Sequence, residues 1–469
     1  MKLARALLFG GLSVLVTQRV EAGSPFDVVQ HLISGRTGKK VGWNRGTPED
    51  AEVERTIHAA LRRNLSVDAA VQIALLNNRG LQAQFEEVGI SQADLVQAGL
   101  LSNPEFAANW RFPDRPPSGT NAEYSVVQDF LDLVILPLRR KLAAQQLQAT
   151  QLRVSDEVLK LAAEVKSAFY TLQARQQLLA TLGTVTETNE TAAELSKRLH
   201  DAGNVNDLEL ANQQVAYSQS RLDIAQTEGQ VRSDRERLNR LMGAWGADTG
   251  WRISNQLPEI PARDVSAGKL EALAISQRLD LQATRLQADI AGQFYALRAK
   301  TRFLPTSIKL GIDTERETDR QVVTGPALAL QVPLFDQGQG AVAKLRAQYR
   351  QALFRLEELA VNVRSEVREA RDRMLANRDA AEYSRAVLLP QRKQVIELTQ
   401  QQYNFMLKSS FDLLIAKQSE VATERSYIDA WRDYWIARAE LERVVGGSLT
   451  GRVRAENEST NFKSASQHN

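Results

Sequence analysis

Helix breakers are nearly absent from three long stretches of this chain, and that limits its possible folds more than any other feature. Residues 139–202 contain no proline and one glycine, Gly183, while residues 341–389 and 391–445 contain neither. Helices of that size far exceed the three turns usual in globular domains. At 1.5 Å per residue, a helix of about 60 residues reaches roughly 90 Å. Heptad-like spacing runs through these stretches. Val154, Val158, Leu161, Val165, Ala168 and Leu172 step alternately by four and three, as do Leu353, Leu356, Ala360, Val363, Val367, Ala370 and Met374. Such stripes require partner helices. The other positions, rich in Gln, Arg and Glu, must face water, so these helices suit a bundle or the wall of a wide tube.

The long helices occur in two copies of one larger unit, offset by about 200 residues. Residues 74–83 align without gaps to residues 274–283, with Leu81, Gln82 and Ala83 matching Leu281, Gln282 and Ala283. Asn103-Pro104 faces Leu304-Pro305, Leu136-Pro137-Leu138 faces Val332-Pro333-Leu334, Asp207-Leu208 faces Asp412-Leu413, and Leu238 to Gly243 faces Leu441 to Gly446. Chance similarity between helices does not readily produce this order of landmarks. Each unit reads as helix, two short strands, long helix, turn, long helix.

The strands show period-two alternation. Phe106, Ala108, Trp110 and Phe112 share one face, against Ala107, Asn109 and Arg111. Ile308, Leu310 and Ile312 oppose Lys309, Gly311 and Asp313, and Leu328, Leu330, Val332 and Leu334 oppose Ala327, Ala329 and Gln331. The strand around Tyr124, Val126 and Phe130 is interrupted by Gln128. Strands are expected at about 104–112, 122–131, 306–314 and 326–335, with polar loops at 113–119 and 314–325. Four strands do not close a barrel, and eight is about the smallest membrane barrel. Two readings remain open on this pattern: a soluble four-stranded sheet packed on helices, or a share of a membrane barrel completed by further copies.

The N-terminus favours the second. Lys2 and Arg5 precede an apolar run from Ala6 to Val16, and Val20-Glu21-Ala22 is a small-x-small cleavage site, the pattern of a secretory signal. The run is too short to span a bilayer, which takes about 20 residues. Cleavage would lower the net charge of +3 by two, and no basic face is concentrated enough in the sequence to predict nucleic-acid binding. With no cysteine, the chain has no thiol catalysis, disulfide, thiolate metal site or cysteine-linked lipid. His31, His58, His200 and His468 form no metal motif. No phosphate loop or nucleophile elbow is present. The carboxylate pairs Glu86-Glu87 and Glu357-Glu358 lie in charged helical stretches, where solvation explains them. No enzyme activity, cofactor or metal site is expected.

In its duplication, its Asn103-Pro104 and Leu304-Pro305 approaches to the strands, and the run Val332-Pro-Leu-Phe-Asp-Gln-Gly338, the chain resembles the outer-membrane efflux protein family, the TolC-like ducts, from about Leu65 to Gly447. The last run is similar to the family's Pro-Leu-Phe-Asp-x-Gly signature. Residues 201–212 look most like the branch serving cobalt–zinc–cadmium pumps. The resemblance implies a mainly α protein with a small β part: a homotrimer whose 12-stranded β-barrel lies in outer-membrane lipid and continues into a long α-helical barrel across the periplasm. It also implies a collar, here from residues 244–268 and the C-terminal region, and partnership with a periplasmic adaptor and an inner-membrane pump. The expected division is a signal peptide (1–22), an N-terminal extension (23–64), a first repeat (65–243), a collar linker (244–268), a second repeat (269–447) and a flexible polar tail (448–469).

A passive duct needs a closable end and a docking surface, both expected at the helix-to-helix tips near 200–207 and 407–412. The resemblance places Tyr403 on a tyrosine that pinches the tunnel, Asp412 on the first of two aspartates in an anionic ring, and Lys408 on a basic gate residue. Ile415 replaces the second aspartate. Asp207 is grouped with them, although helix capping is its other reading, and Asp412 and Tyr403 have the ordinary alternatives of a cap and interhelix packing. Docking is expected at Ala202, Gly203, Asn204 and Val205 on one tip and at Ser409, Ser410 and Phe411 on the other. Asn206 or Asp207, and Ser409 or Ser410, are the candidate N-caps. The cargo stays open between metal cations, small toxic compounds and a secreted polypeptide, as in a type I secretion duct. An exported soluble coiled-coil protein is the structural alternative.

Overall fold

The computed structural model describes residues 24–117, 119–261, 269–303, 305 and 307–449. The signal peptide, Leu304, the last part of the collar linker and most of the tail lie outside the described residues. The first half runs α1 (Pro25–Thr37), α2 (Pro48–Leu61), β1 (Asn64–Leu65), α3 (Val67–Asn77), α4 (Arg79–Ala98), β2 (Glu105–Arg111), β3 (Asn121–Asp129), α5 (Leu131–Asp201) and α6 (Asp207–Met242). A 3-10 turn, Gly246–Gly250, leads to β4 (Arg252–Ile253). The second half runs α7 (Leu270–Gln277), α8 (Leu279–Thr301), β5 (Ile308–Arg316), β6 (Val322–Leu330), α9 (Gln339–Tyr383), α10 (Leu389–Asn404) and α11 (Ser410–Val445).

At 71 residues, α5 is about 105 Å long. It starts before Pro137, which lies inside it, earlier than the breaker-free stretch alone indicated. Its stripe of Val154, Val158, Val165, Ala168 and Leu172 is buried. In α9, Val363, Val367, Ala370 and Met374 are buried, whereas Leu353 and Leu356, nearer the strands, are only half-buried. The second long helix does not break at Pro390. A π turn, Ser384–Leu388, joins α9 to α10, and Pro390 falls in the first turn of α10. Proline lacks an N–H and crowds the preceding turn, so the wider π turn lets the rod continue.

The main sheet has the order β2-β3-β5-β6, antiparallel throughout. Its register aligns Phe106 with Val126, Val126 with Ile312, and Ile312 with Pro326, and Leu310 with Leu328. One face is therefore apolar and exposed, with Phe106, Trp110, Tyr124, Val126, Ile312 and Leu328 on it. The other face carries cross-strand polar pairs. Arg111 meets Glu123 at 3.0 Å, Lys309 meets Glu105 at 2.6 Å, and Asn121 donates to Glu315 at 2.6 Å. Gln128 sits within β3 without ending it, because its amide donates to the Ser102 carbonyl at 2.9 Å.

The last strand is Val322–Leu330, not 326–335, and the expected loop at 314–325 is mostly sheet. Polar residues here continue the ladder on both strands. Thr314 opposes Thr324, their hydroxyls 3.2 Å apart, and the chain reverses only at Glu317–Gln321 with Arg320 at φ 72°. Residues 331–338 leave the sheet as a connector. There the Asp336 carboxylate accepts the Gly338 N–H at 2.8 Å, and Gly338 takes φ 74° to launch α9.

The N-terminal extension packs against the helices, α1 lying on α4 and α5. Phe26, Val29 and Ile33 of α1 are buried in one core with Phe85, Val158, Leu238 and Trp251. The ring of Phe26 lies edge-on to Phe85 at 4.9 Å. Glu86, a member of the charged pair noted above, accepts the Trp43 indole N–H at 2.8 Å, while Glu357 and Glu358 are exposed on α9. The Pro258 carbonyl accepts the indole N–H groups of both Trp431 and Trp435, each at 2.9 Å, which pins the linker to α11.

Two glycines close the returning helices in the same way. Gly243 has φ 67° and lies against the Asn77 carbonyl, and Gly446 has φ 88° and lies against Gln277. In the first half, Asn77 donates to the Met242 and Gly243 carbonyls at 3.0 and 2.9 Å, and Asn78 to that of Leu241 at 2.9 Å. These bonds satisfy carbonyls that a helix C-terminus leaves unpaired. In the second half, Arg278 stands where Asn78 stands in the first and pairs with Asp280 and Glu366 instead.

Candidate functional site

The two tips are built alike. At the first, α5 ends at Asp201, Gly203 takes φ 79°, the Asn204 N–H bonds to the Leu199 carbonyl at 2.9 Å, and Asn206 caps α6 by accepting from Glu209 at 2.9 Å. At the second, α10 ends at Asn404, Met406 takes φ 58°, the Leu407 N–H bonds to the Gln402 carbonyl at 2.9 Å, and Ser409 caps α11. Gly203 thus corresponds to Met406, Asn206 to Ser409, Asp207 to Ser410, and Glu209 to Asp412. The pairing of Asp207 with Asp412 drawn from sequence is two residues out of register with this geometry, because Asp207 opens its helix whereas Asp412 sits one turn in.

Asp412 is the third residue of α11 and completes a reciprocal cap. Its carboxylate accepts the Ser409 N–H at 2.9 Å, and Ser409 Oγ accepts the Asp412 N–H at 3.2 Å. Lys408 Nζ lies 3.5 Å from the same carboxylate. The Ser409 backbone N–H and hydroxyl, with Lys408, hold this carboxyl below the usual carboxylate range. Asp207 is not a cap. Its carboxylate lies 2.7 Å from His200 Nε2 and so links the two helices of the first hairpin. Ser410 donates to Glu209, which links the first tip to the second.

Tyr403 is set apart from this cluster. It lines a cleft of about 400 Å³ between the two hairpins, with Leu199, Val205, Ile396 and Leu414. The structure therefore brings together Lys408, Ser409 and Asp412 at one tip and Ala202 to Val205 with Asp207 at the other, while Tyr403 faces the space between them.

Residues at and just before the expected start of the second tip dominate it. Phe405, Met406 and Leu407 are 77%, 93% and 73% exposed. Phe405 and Met406 precede the tip expected at 407–412, because no glycine marks the turn; Met406 occupies the left-handed position that Gly203 fills opposite. The usable signal was an apolar triplet directly before the Ser409-to-Asp412 capping box.

A sheet with one apolar and one charged face, set on helices up to about 105 Å long with capped tips at the far end, is a fold shared with solved outer-membrane channels. Residues 70–244 match the sequence model of the family described as outer membrane efflux protein. The match runs from α3 to the end of α6, so this part of the chain carries that family's sequence pattern. The chain is 21% identical over 389 residues to the cobalt-zinc-cadmium resistance protein CzcC of Cupriavidus metallidurans, covering 81% of this chain and 90% of that one. Its fold is similar to the Campylobacter jejuni CmeC outer membrane channel, with TM-score 0.71 and 15% identity, covering 83% and 89% of the two chains. It is also similar to the outer membrane protein VceC of Vibrio cholerae, with TM-score 0.66 and 16% identity, covering 85% and 97%.

Proposed function

We propose that three copies of this chain form one duct, each giving four strands to a 12-stranded barrel, and that the duct receives cargo from a periplasmic adaptor and an inner-membrane pump. The observation that carries this reading is the sheet. Its edges β2 and β6 are unpaired in the protomer, and an open apolar sheet of four strands is unstable in water. Further copies would pair those edges, with the apolar face towards lipid and the Arg111–Glu123 and Lys309–Glu105 pairs towards a wet lumen. The half-exposed stripe in α9, with Phe354 and Val361 exposed beside it, suits the same assembly. The matching glycine caps and tips support reading the chain as a duplicated unit. Such a duct carries out no covalent chemistry and needs no cofactor.

The proposed cargo is divalent heavy-metal cations, on the strength of the relative named for cobalt, zinc and cadmium resistance. Deletion should lower tolerance to these ions and raise their cellular content, with wild-type complementation restoring both. Loss of a secreted polypeptide with unchanged metal tolerance would point to a protein-secretion duct instead.

Tyr403, Lys408, Asp412 and Asp207 are the proposed gate, and Ala202 to Val205 with Ser409, Ser410 and Phe411 the proposed docking tips. In a trimer, three Asp412 carboxylates would face one axis and raise one another's pKa. Tyr403→Ala combined with Asp412→Ala is expected to raise single-channel conductance in planar bilayers. An unchanged current would remove both residues from the gate.

A further inference from the structure

The surface of the collar carries a concentration of positive charge that the duct reading does not use. A cleft of about 950 Å³ is lined by Arg55, His58, Arg62 and Arg63 on one side and by Asp248 and Arg252 on the other. Among the described residues, none of the four arginines has a carboxylate within 4 Å. Arg55 donates only to the Ala51 carbonyl, at 3.3 Å. The single acid in the lining, Asp248, is taken by His58 Nδ1 at 2.7 Å. Of the acids of α2, Glu49 and Asp50 lie in its first turn, and Glu54 borders the cleft at 3.9 Å from His58. Behind the cleft, the Arg235 guanidinium lies 4.0 Å over the Trp251 ring and donates to the Thr249 and Trp251 carbonyls.

Basic residues at a helix C-terminus ordinarily do no more than complement its dipole. That accounts for Arg62 and Arg63 at the end of α2. It does not account for Arg252, which lies far along the chain and arrives only because β1 and β4 pair in parallel, Asn64 against Arg252. The sheet thus joins two basic segments on a chain whose overall charge is only +3. Guanidinium forks match carboxylates and phosphates in pairs. An open cleft offering several of them suits a repeating polyanion better than one enclosed small molecule.

The position in the duct selects the polyanion. Gln173 of α5 donates to the Ser254 carbonyl at 3.1 Å, which ties this part of the collar to α5. That level lies roughly 40 Å from the tip and roughly 60 Å from the strands along α5. Resting on the duct reading for its compartment, this height falls within the periplasm, where the fixed polymer rich in carboxylates is peptidoglycan. We propose that the arginine cleft binds the peptide-stem carboxylates of peptidoglycan and holds the duct to the cell wall at mid-height.

The test is co-sedimentation of the detergent-purified full-length protein with isolated peptidoglycan sacculi. The wild-type protein should pellet with sacculi at low salt and be released by salt, since exposed charge contacts are screened. The triple variant Arg62→Glu, Arg63→Glu, Arg252→Glu should lose roughly tenfold in retained fraction, and Arg115→Glu, in the β2–β3 loop, should retain it all. Sacculi whose carboxyl groups have been amidated should no longer bind the wild-type protein. Should the triple variant lose its assembly on gel filtration, the neutral pair Arg55→Gln, Arg252→Gln decides in its place. Undiminished pelleting of the assembled variant, or binding to amidated sacculi, or no pelleting of wild type, overturns the proposal. The assay involves no transport, so a failure of metal efflux leaves it standing, and its own failure leaves the efflux reading standing.

Discussion

Replacing Arg278 by alanine is expected to cost about 2–4 kcal/mol of folding stability, less than the about 3–5 of a fully buried pair because Asp280 and Glu366 are partly exposed. Its side chain is 6% exposed and bridges the start of α8 to α9. Nε and a terminal nitrogen donate to both Asp280 oxygens, at 3.0 and 2.6 Å, and the other terminal nitrogen to Glu366. Burial alone would push the Asp280 carboxyl up, but the guanidinium more than reverses this and holds it below the usual range. A carboxyl depressed in the folded state contributes stability above its unfolded pKa of about 3.9 and loses that contribution as pH falls through the folded value. In Arg278→Ala the carboxyl keeps its burial and loses its partner, so its pKa rises. The deficit of the variant should thus be full near neutrality and shrink as pH is lowered. Denaturation of the detergent-purified protein, followed by near-ultraviolet circular dichroism across pH, reads both effects. A deficit independent of pH would mean that Arg278 acts by packing alone.

The second large effect is expected at Gly243. An alanine there must hold φ 67°, and its Cβ would come 2.6 Å from the Asn77 carbonyl oxygen. The left-handed conformation costs about 1–2 kcal/mol and forced overpacking about 1–3, so Gly243→Ala should lose about 2–5 kcal/mol. The same substitution at Gly446, where the nearest atoms lie 3.2 Å away, should cost less. At Gly203, with φ 79° and nothing within 4 Å, only the conformational part remains. The order Gly243, Gly446, Gly203 in thermal unfolding is the expected result. Equal losses at all three would show that the contact with Asn77 yields without cost.

Features written in periodicity were legible in the sequence. The heptad stripe of α5 is buried where its spacing placed it, and the alternation around Phe106 and Ile312 marks the apolar face of the sheet. Features set by contacts between distant residues were not. The start of β6 depends on the Thr314–Thr324 ladder, and those polar residues read locally as loop. The π turn beside Pro390 hides because a breaker normally ends a helix, and here the backbone widens around it. The arginine cleft is dispersed among α2, β1 and β4, and only the pairing of two dipeptide strands brings it together. At the tips, the caps were readable from Asn206, Ser409 and Asp412. The turn at Met406 was not, since a methionine at positive φ leaves no compositional mark and conceals the exposed Phe405 and Leu407.

The central claim, that this chain is a channel through the outer membrane built from several copies, is tested most directly by electrical recording. Protein purified in detergent from the outer-membrane fraction should insert into a planar lipid bilayer and give discrete, uniform conductance steps at the mass of a trimer. Protein released from cells without detergent, monomeric and silent in the bilayer, would contradict the account.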